Sequence, residues 1–178
     1  MDAVAEAAGV SKLTAYKYFG SKQELFATAV AAKCEAAFGD IDLSLVSGTD
    51  LRACLNNFGN AFLALVLDPA AMATHRLIGT ERARNPELGL LFYESAVRPV
   101  SEKLAAIIAR HEASGEIWTG TGAIVAAQHL LALWRGRPFM MIELIGEPLS
   151  ADELAAYVAQ CVDFCLLAWS RRTPFTGG

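Results

Sequence analysis

Residues 4–26 read Val4-Ala5-Glu6-Ala7-Ala8-Gly9-Val10-Ser11-Lys12-Leu13-Thr14-Ala15-Tyr16-Lys17-Tyr18-Phe19-Gly20-Ser21-Lys22-Gln23-Glu24-Leu25-Phe26. Gly9-Val10-Ser11 interrupts a short helix, and Ser11 is placed to cap a second one over Lys12 to Phe19. Ser21-Lys22-Gln23-Glu24 has the form of a capping box and opens a third helix that runs to about Phe38. Two short helices across a tight glycine turn predict a helix-turn-helix. Ala5 is small enough for close crossing, Gly9 supplies the turn, and Val10 is expected to plug the angle between the helices. Ala15 and Phe19, four residues apart, share an inward face. Leu13, Thr14, Lys17 and Tyr18 are left for the opposite face. They offer an apolar contact, a hydroxyl, a cation and an aromatic ring, a set suited to base edges, thymine methyls and phosphates. Lys12 and Lys22 flank the unit as phosphate clamps.

Outward from this stretch the sequence remains helical. Of 178 residues, 54% are hydrophobic and 19% charged, which excludes disorder for most of the chain. Alanine and leucine are abundant and no β-type alternation is present. Helices are expected over Leu51 to Leu67, from Asp68-Pro69 onward, over Pro86 to Ser114 with Gly115 as its stop, and over Ala123 to Arg135. Pro138 to Ile145 either continues that last helix past a kink or forms a separate one. Ser150-Ala151-Asp152-Glu153 is a capping box whose helix runs to about Arg171, with a loose tail from Thr173. Gly39 to Asp50 reads as a connection in which Ile41, Leu43 and Leu45 have apolar side chains to pack. The chain divides into a head, residues 1–38, and a body, residues 50–172, bridged by the third helix.

The net charge is −4, so any nucleic-acid contact must be local. Lys12, Lys17, Lys22 and Lys33 balance Asp2, Glu6, Glu24 and Glu35 over the first 35 residues. The apolar run Ile117 to Trp134 is interrupted by glycines, threonines, Gln128 and His129, so no membrane span is expected. The N-terminus has no secretory signal, and a reducing cytoplasm is the expected setting. Cys34, Cys54, Cys161 and Cys165 match no zinc or redox spacing and read as buried free thiols, although Cys161 and Cys165, four apart, leave a redox or bridging role open. His75, His111 and His129 have no partner at metal-ligand spacing. No nucleophile elbow, Walker loop or dinucleotide fingerprint is present, so neither an enzyme nor a cofactor is expected.

The core Ala-Gly-Val-Ser (8–11), Thr-x-Tyr-x-x-Phe (14–19) and Ser-Lys-x-x-Leu (21–25) resembles the DNA-binding signature of TetR-family transcriptional regulators. About ten positions agree in fixed register over the first seventh of the chain. Leu77 to Tyr93 is similar, more weakly, to the C-terminal domain of the AefR-like subgroup. The resemblance implies an all-α fold, with a helix-turn-helix head followed by a TetR-like helical ligand-binding and dimerisation bundle. It implies DNA contacts from Lys12, Leu13, Thr14, Tyr16, Lys17, Tyr18 and Lys22, with Tyr16 and Lys22 on phosphates. Ala15 stands where the family usually has leucine. Family members carry a further helix and a basic arm before this motif, so the head is expected to be N-terminally incomplete.

For the body, the resemblance implies a pocket for a small apolar effector. Phe58, Phe62, Thr80, Phe92, Leu131, Trp134 and Met140 are candidates for its wall, each competing with an ordinary role in the bundle core. Glu81, among Arg76, Arg82 and Arg84, is better read as solvated than as a ligand anchor. The stripes Ile124, Ala127, Leu130, Leu131, Trp134 and Leu154, Tyr157, Val158, Cys161, Val162, Cys165, Leu166, Trp169 are expected to build a four-helix homodimer interface from the last two helices. The expected function is a ligand-responsive repressor that binds a double-stranded operator as a dimer. The alternative is a truncated ligand-binding dimer that does not bind DNA by itself.

Overall fold

The computed structural model describes residues 1–39 and 50–170. The expectations for Ile41, Leu43, Leu45, Arg171 and the tail from Thr173 lie outside them. The described residues form α1 (Asp2–Ala7), α2 (Lys12–Phe19), α3 (Lys22–Phe38), α4 (Leu51–Val66), α5 (Pro69–Glu81), α6 (Pro86–Phe92), α7 (Arg98–Ala113), α8 (Ala123–Met140) and α9 (Ala151–Trp169). The fold is all-α, as expected.

Local chemistry sets most boundaries. Ser11 Oγ accepts from the Thr14 N–H at 3.0 Å and starts α2. Asp68 accepts from the Ala70 and Ala71 N–H groups, and Pro69 follows it where no N–H is needed. The Ser150–Glu153 capping box is complete in both directions. At Ser21 only half of the box forms: the hydroxyl accepts from the Glu24 N–H at 3.0 Å. Gly115, at φ +76°, closes α7 with the Glu116 N–H bonded to the His111 carbonyl.

The helix expected over Pro86 to Ser114 is divided. A π-helical turn, Tyr93–Val97, joins α6 to α7. Pro99 has no N–H to donate to the preceding turn and its ring crowds the carbonyl four residues back, and the wider turn relieves that conflict. In contrast, α8 runs through Pro138 as one helix and ends in a second π-helical turn, Met141–Ile145. Tyr157 of α9 braces this region. Its hydroxyl donates to the Leu133 carbonyl at 2.8 Å and accepts from the Arg137 N–H at 3.4 Å.

Helices α4, α7, α8 and α9 enclose the core, with α7 against α8 and α4 against α9. Phe58, Leu104, Ile108, Leu130, Trp134, Val158 and Val162 are fully buried there. The α3 helix ends in this core: Phe38 stacks on Phe58 at 4.7 Å, and Phe58 lies 6.2 Å from Trp134. The two stripes expected to face a second subunit are mostly this same core. Ala127, Leu130 and Trp134 on α8, and Val158, Cys161, Val162, Cys165 and Trp169 on α9, are buried within the chain. The reason is that α7 and α4 cover that side of α8, and α4 covers that side of α9. Ile124 of the expected α8 stripe stays exposed, as do Met140 on α8 and Phe164 (63%) and Leu167 (66%) on α9. Among the described residues, no single helix is long and apolar enough to cross a membrane.

Candidate functional site

The N-terminal unit is built on α1, α2 and the start of α3. Ala5 and Ala15 are buried where the helices cross, and Phe19 and Phe26 are half-buried behind them. Gly9 takes φ +66°, as the turn requires. Val10 does not plug the angle. Its N–H bonds the Ala5 carbonyl, and its side chain is exposed. With small alanines at the crossing, the two helices approach each other closely without it.

The outer face of α2 is open. Leu13 is 80% exposed and Tyr18 82%, and Tyr16 and Lys17 are exposed beside them. Leu13 and Tyr18 are the most exposed large hydrophobic side chains among the described residues. Thr14 is half-buried and its hydroxyl pairs with Ser11 Oγ at 2.8 Å, so it faces its own cap. Lys12 pairs with Asp2 at 2.9 Å, which holds the Asp2 carboxyl below its ordinary value. Lys33 pairs with Asp68 at 2.6 Å. Lys17 and Lys22 make no ion pair among the described residues. The positive charge available on this face therefore sits at those two lysines, although the head as a whole is balanced.

The far side of α3 lines a cavity of about 580 Å³, within the range of small-molecule sites. Phe26, Val30 and Cys34 of α3 form one wall. Phe62, Leu65 and Val66 of α4 and Thr74 and His75 of α5 form a second. Phe92, the π-helical turn (Tyr93, Ala96, Val97) and Leu131, Arg135 and Phe139 of α8 complete it. The lining is largely apolar. At one end the Arg135 guanidinium lies 4.1 Å from the centre of the Phe139 ring and 2.9 Å from His75 Nε2. Burial and the adjacent Arg135 cation hold His75 below its ordinary pKa. Close by, Arg76 grips Glu143 of the second π-helical turn through Nε at 3.0 Å and through NH2 at 2.9 Å.

Residues 53–171 match the family model described as "AefR-like transcriptional repressor, C-terminal domain", and residues 1–29 match "Bacterial regulatory proteins, tetR family". The chain belongs to the TetR family. Two solved structures share its fold. One is named "Flavonoid-responsive Regulator FrrA", with 32% identity, a TM-score of 0.76, and 97% of this chain matched to 87% of that one. The other is a TetR-family transcriptional regulator from Mesorhizobium loti MAFF303099, with 25% identity, a TM-score of 0.79, and 96% matched to 86%. Curated proteins give no match. This TetR-family chain is accordingly a transcriptional regulator.

Six of the seven DNA-contact candidates on the TetR-family head are exposed. They are Lys12, Leu13, Tyr16, Lys17, Tyr18 and Lys22, and Thr14 is turned towards its cap. Of the pocket candidates, Phe62, Phe92 and Leu131 line the cavity. Phe58 and Trp134 are fully buried in the core behind it. Thr80 lies on the exposed side of α5 with its hydroxyl on the Leu77 carbonyl, and Met140 is exposed at the end of α8. His75, Arg135, Phe139 and the α3 wall were not anticipated from sequence. Their signal was present in the spacing Phe26, Val30, Cys34 on α3 and Gln128, Leu131, Arg135, Phe139 on α8. Both are stripes three to four residues apart, and the one on α8 includes the polar Gln128 and Arg135.

Cys161 and Cys165 are buried, and burial pushes Cys165 up to about 11. A thiol in that state is a poor nucleophile, which favours the packing role over redox chemistry. Among the described residues no cluster of three or more metal-ligating side chains occurs.

Proposed function

We propose that this transcriptional regulator is a ligand-responsive repressor. Residues 1–38 act as the DNA-binding head and residues 50–172 as the ligand-binding and dimerisation body, in a cytoplasmic homodimer. The observation that carries the reading is the double role of α3, which packs under α2 at one end and lines the cavity with Phe26, Val30 and Cys34 along its length. An apolar effector in the cavity pushes on the element that sets the position of α2. The same wall carries Phe62, Phe92 and Leu131, the pocket residues with direct access to a ligand. A two-fold dimer presents two copies of α2 to major grooves about 34–36 Å apart. Lys17, Leu13 and Tyr18 then read bases, while Lys12, Tyr16 and Lys22 hold phosphates, and Thr14 supports the start of the reading helix. A ligand that prefers the subunit separation misfitted to the operator releases DNA, with a coupling of about 1–3 kcal/mol. The relative named as flavonoid-responsive supports a flat, largely apolar molecule as the effector.

Fluorescence anisotropy with DNA from around the coding region, over a salt series, tests this reading. The expected result is sequence-selective binding that weakens with salt. Lys22→Ala should weaken binding to every sequence and reduce the salt slope by about 1. Lys17→Ala should instead change which sequences bind. An equal loss on all sequences from Lys17→Ala removes its base-reading role. Absence of selective binding by the folded protein favours a ligand-binding dimer that does not bind DNA by itself.

A further inference from the structure

We infer that the effector is an apolar weak acid whose anionic oxygen is received by Arg135 and His75 at the mouth of the cavity. The inference rests on the ligand-responsive reading above and adds the chemistry of the ligand's polar end.

Three cationic side chains lie in or beside the cavity, and they differ in what neutralises them. Lys33 is paired with Asp68, and Arg76 with Glu143. Arg135 has no carboxylate within ion-pair distance among the described residues, and no aspartate or glutamate lines the cavity. Its one hydrogen-bond partner there is His75 Nε2. A guanidinium has no acceptor, so Nε2 must supply a lone pair. The imidazole is therefore neutral, with its proton on Nδ1. Among the described residues that Nδ1–H has no acceptor either. This end of the cavity thus presents a half-buried cation and a second N–H donor in a largely apolar lining, with Glu143 the nearby carboxylate that acts on both without pairing with either. The Phe139 ring, 4.1 Å from the centre of the Arg135 guanidinium, restrains that group before any ligand arrives. A planar fork of donors in an apolar wall suits a carboxylate or an ionised phenol more than a neutral hydroxyl.

The test is calorimetric titration of the full chain with two matched pairs: 2-naphthoate against 2-naphthamide, and 7-hydroxyflavone against 7-methoxyflavone, the latter pair above the phenol's pKa. Each anion should bind the wild-type protein about tenfold or more tightly than its neutral counterpart. Arg135→Gln should weaken the anions about tenfold more than their neutral counterparts and so abolish that preference, and Arg135→Lys should restore part of it. Discrimination in the first pair alone supports a carboxylic acid, and in the second pair alone an acidic phenol. Equal affinity within both pairs overturns this inference and leaves the cavity reading standing. Equal losses for anion and neutral in folded Arg135→Gln overturn it too. No binding by any of the four probes overturns the cavity reading and this inference with it. The wild-type comparison needs no variant, so misfolding of Arg135→Gln does not protect the idea.

Discussion

At Lys12 and His75 the neighbours decide what a titratable side chain can do. Lys12 is committed to Asp2 when DNA is absent, so a phosphate gains that contact only by displacing a carboxylate. Lys17 and Lys22 carry no such cost. His75 is held below its ordinary pKa by burial and by Arg135. The unfolded chain therefore binds the proton more readily than the folded one, and the stability His75 contributes is present above its unfolded value of about 6.5 and lost as pH falls through the lower folded value. Asp68 and Glu143 are depressed by Lys33 and Arg76, and their contributions disappear only at still lower pH, in the carboxylate range. Thermal melts from pH 7 to pH 5 should accordingly show a decline that is shallower in His75→Gln. A decline unchanged by that substitution would mean that His75 titrates normally in the fold.

Among the helices, close approach and backbone chemistry determine geometry. Gly59 of α4 faces α8 and α9 at their junction, where an added Cβ would lie 2.6 Å from Val158 Cγ1 and 2.7 Å from Trp134 Cε2. Both neighbours are fully buried and cannot swing away. Gly79 of α5 has nothing within 4 Å of the same position. Replacing a helical glycine by alanine gains about 1 kcal/mol of propensity, and overpacking a core costs about 1–3 kcal/mol. Gly59→Ala should therefore destabilise by about 1 kcal/mol net, whereas Gly79→Ala should stabilise by up to about 1 kcal/mol, both read from urea midpoints. If Gly59→Ala raised the midpoint as much as Gly79→Ala does, the core would be looser than these distances indicate. The π-helical turn at Tyr93–Val97 has a related origin in Pro99, and its consequence is functional, since the widened turn supplies Tyr93, Ala96 and Val97 to the cavity.

For the whole molecule, the surface left over after the core is filled points to the proposed dimer. Phe164 and Leu167 on α9 stay exposed, with Ile124 and Met140 on α8, although most of the apolar stripe of each helix is consumed internally. Phe164→Glu should convert the dimer to monomer in sedimentation experiments while the far-ultraviolet spectrum stays helical; a dimer unaffected by it would place the interface elsewhere. Most of the two stripes expected at an interface lies in the core of the chain instead. Ala127, Leu130, Trp134, Val158 and Val162 have the spacing of an interface, but spacing does not distinguish a partner within the chain from one outside it. Local signals carried further. Ser11, Asp68-Pro69 and Ser150-x-x-Glu153 act through groups within four residues, so the helices they start, and the helix-turn-helix with its Ala5–Ala15 crossing, were legible in the sequence alone. The cavity was not legible as a site. Phe58 and Trp134 read like lining and proved to be core, while His75 and Arg135, which the sequence did not single out for the pocket, line it. Helix identity and the head were determined by the sequence itself, because capping and turn chemistry act between near neighbours. The cavity, the place of Arg135 in its wall and the outward faces of α8 and α9 were decided only by tertiary structure, because each depends on which distant helices pack together and which side they leave uncovered.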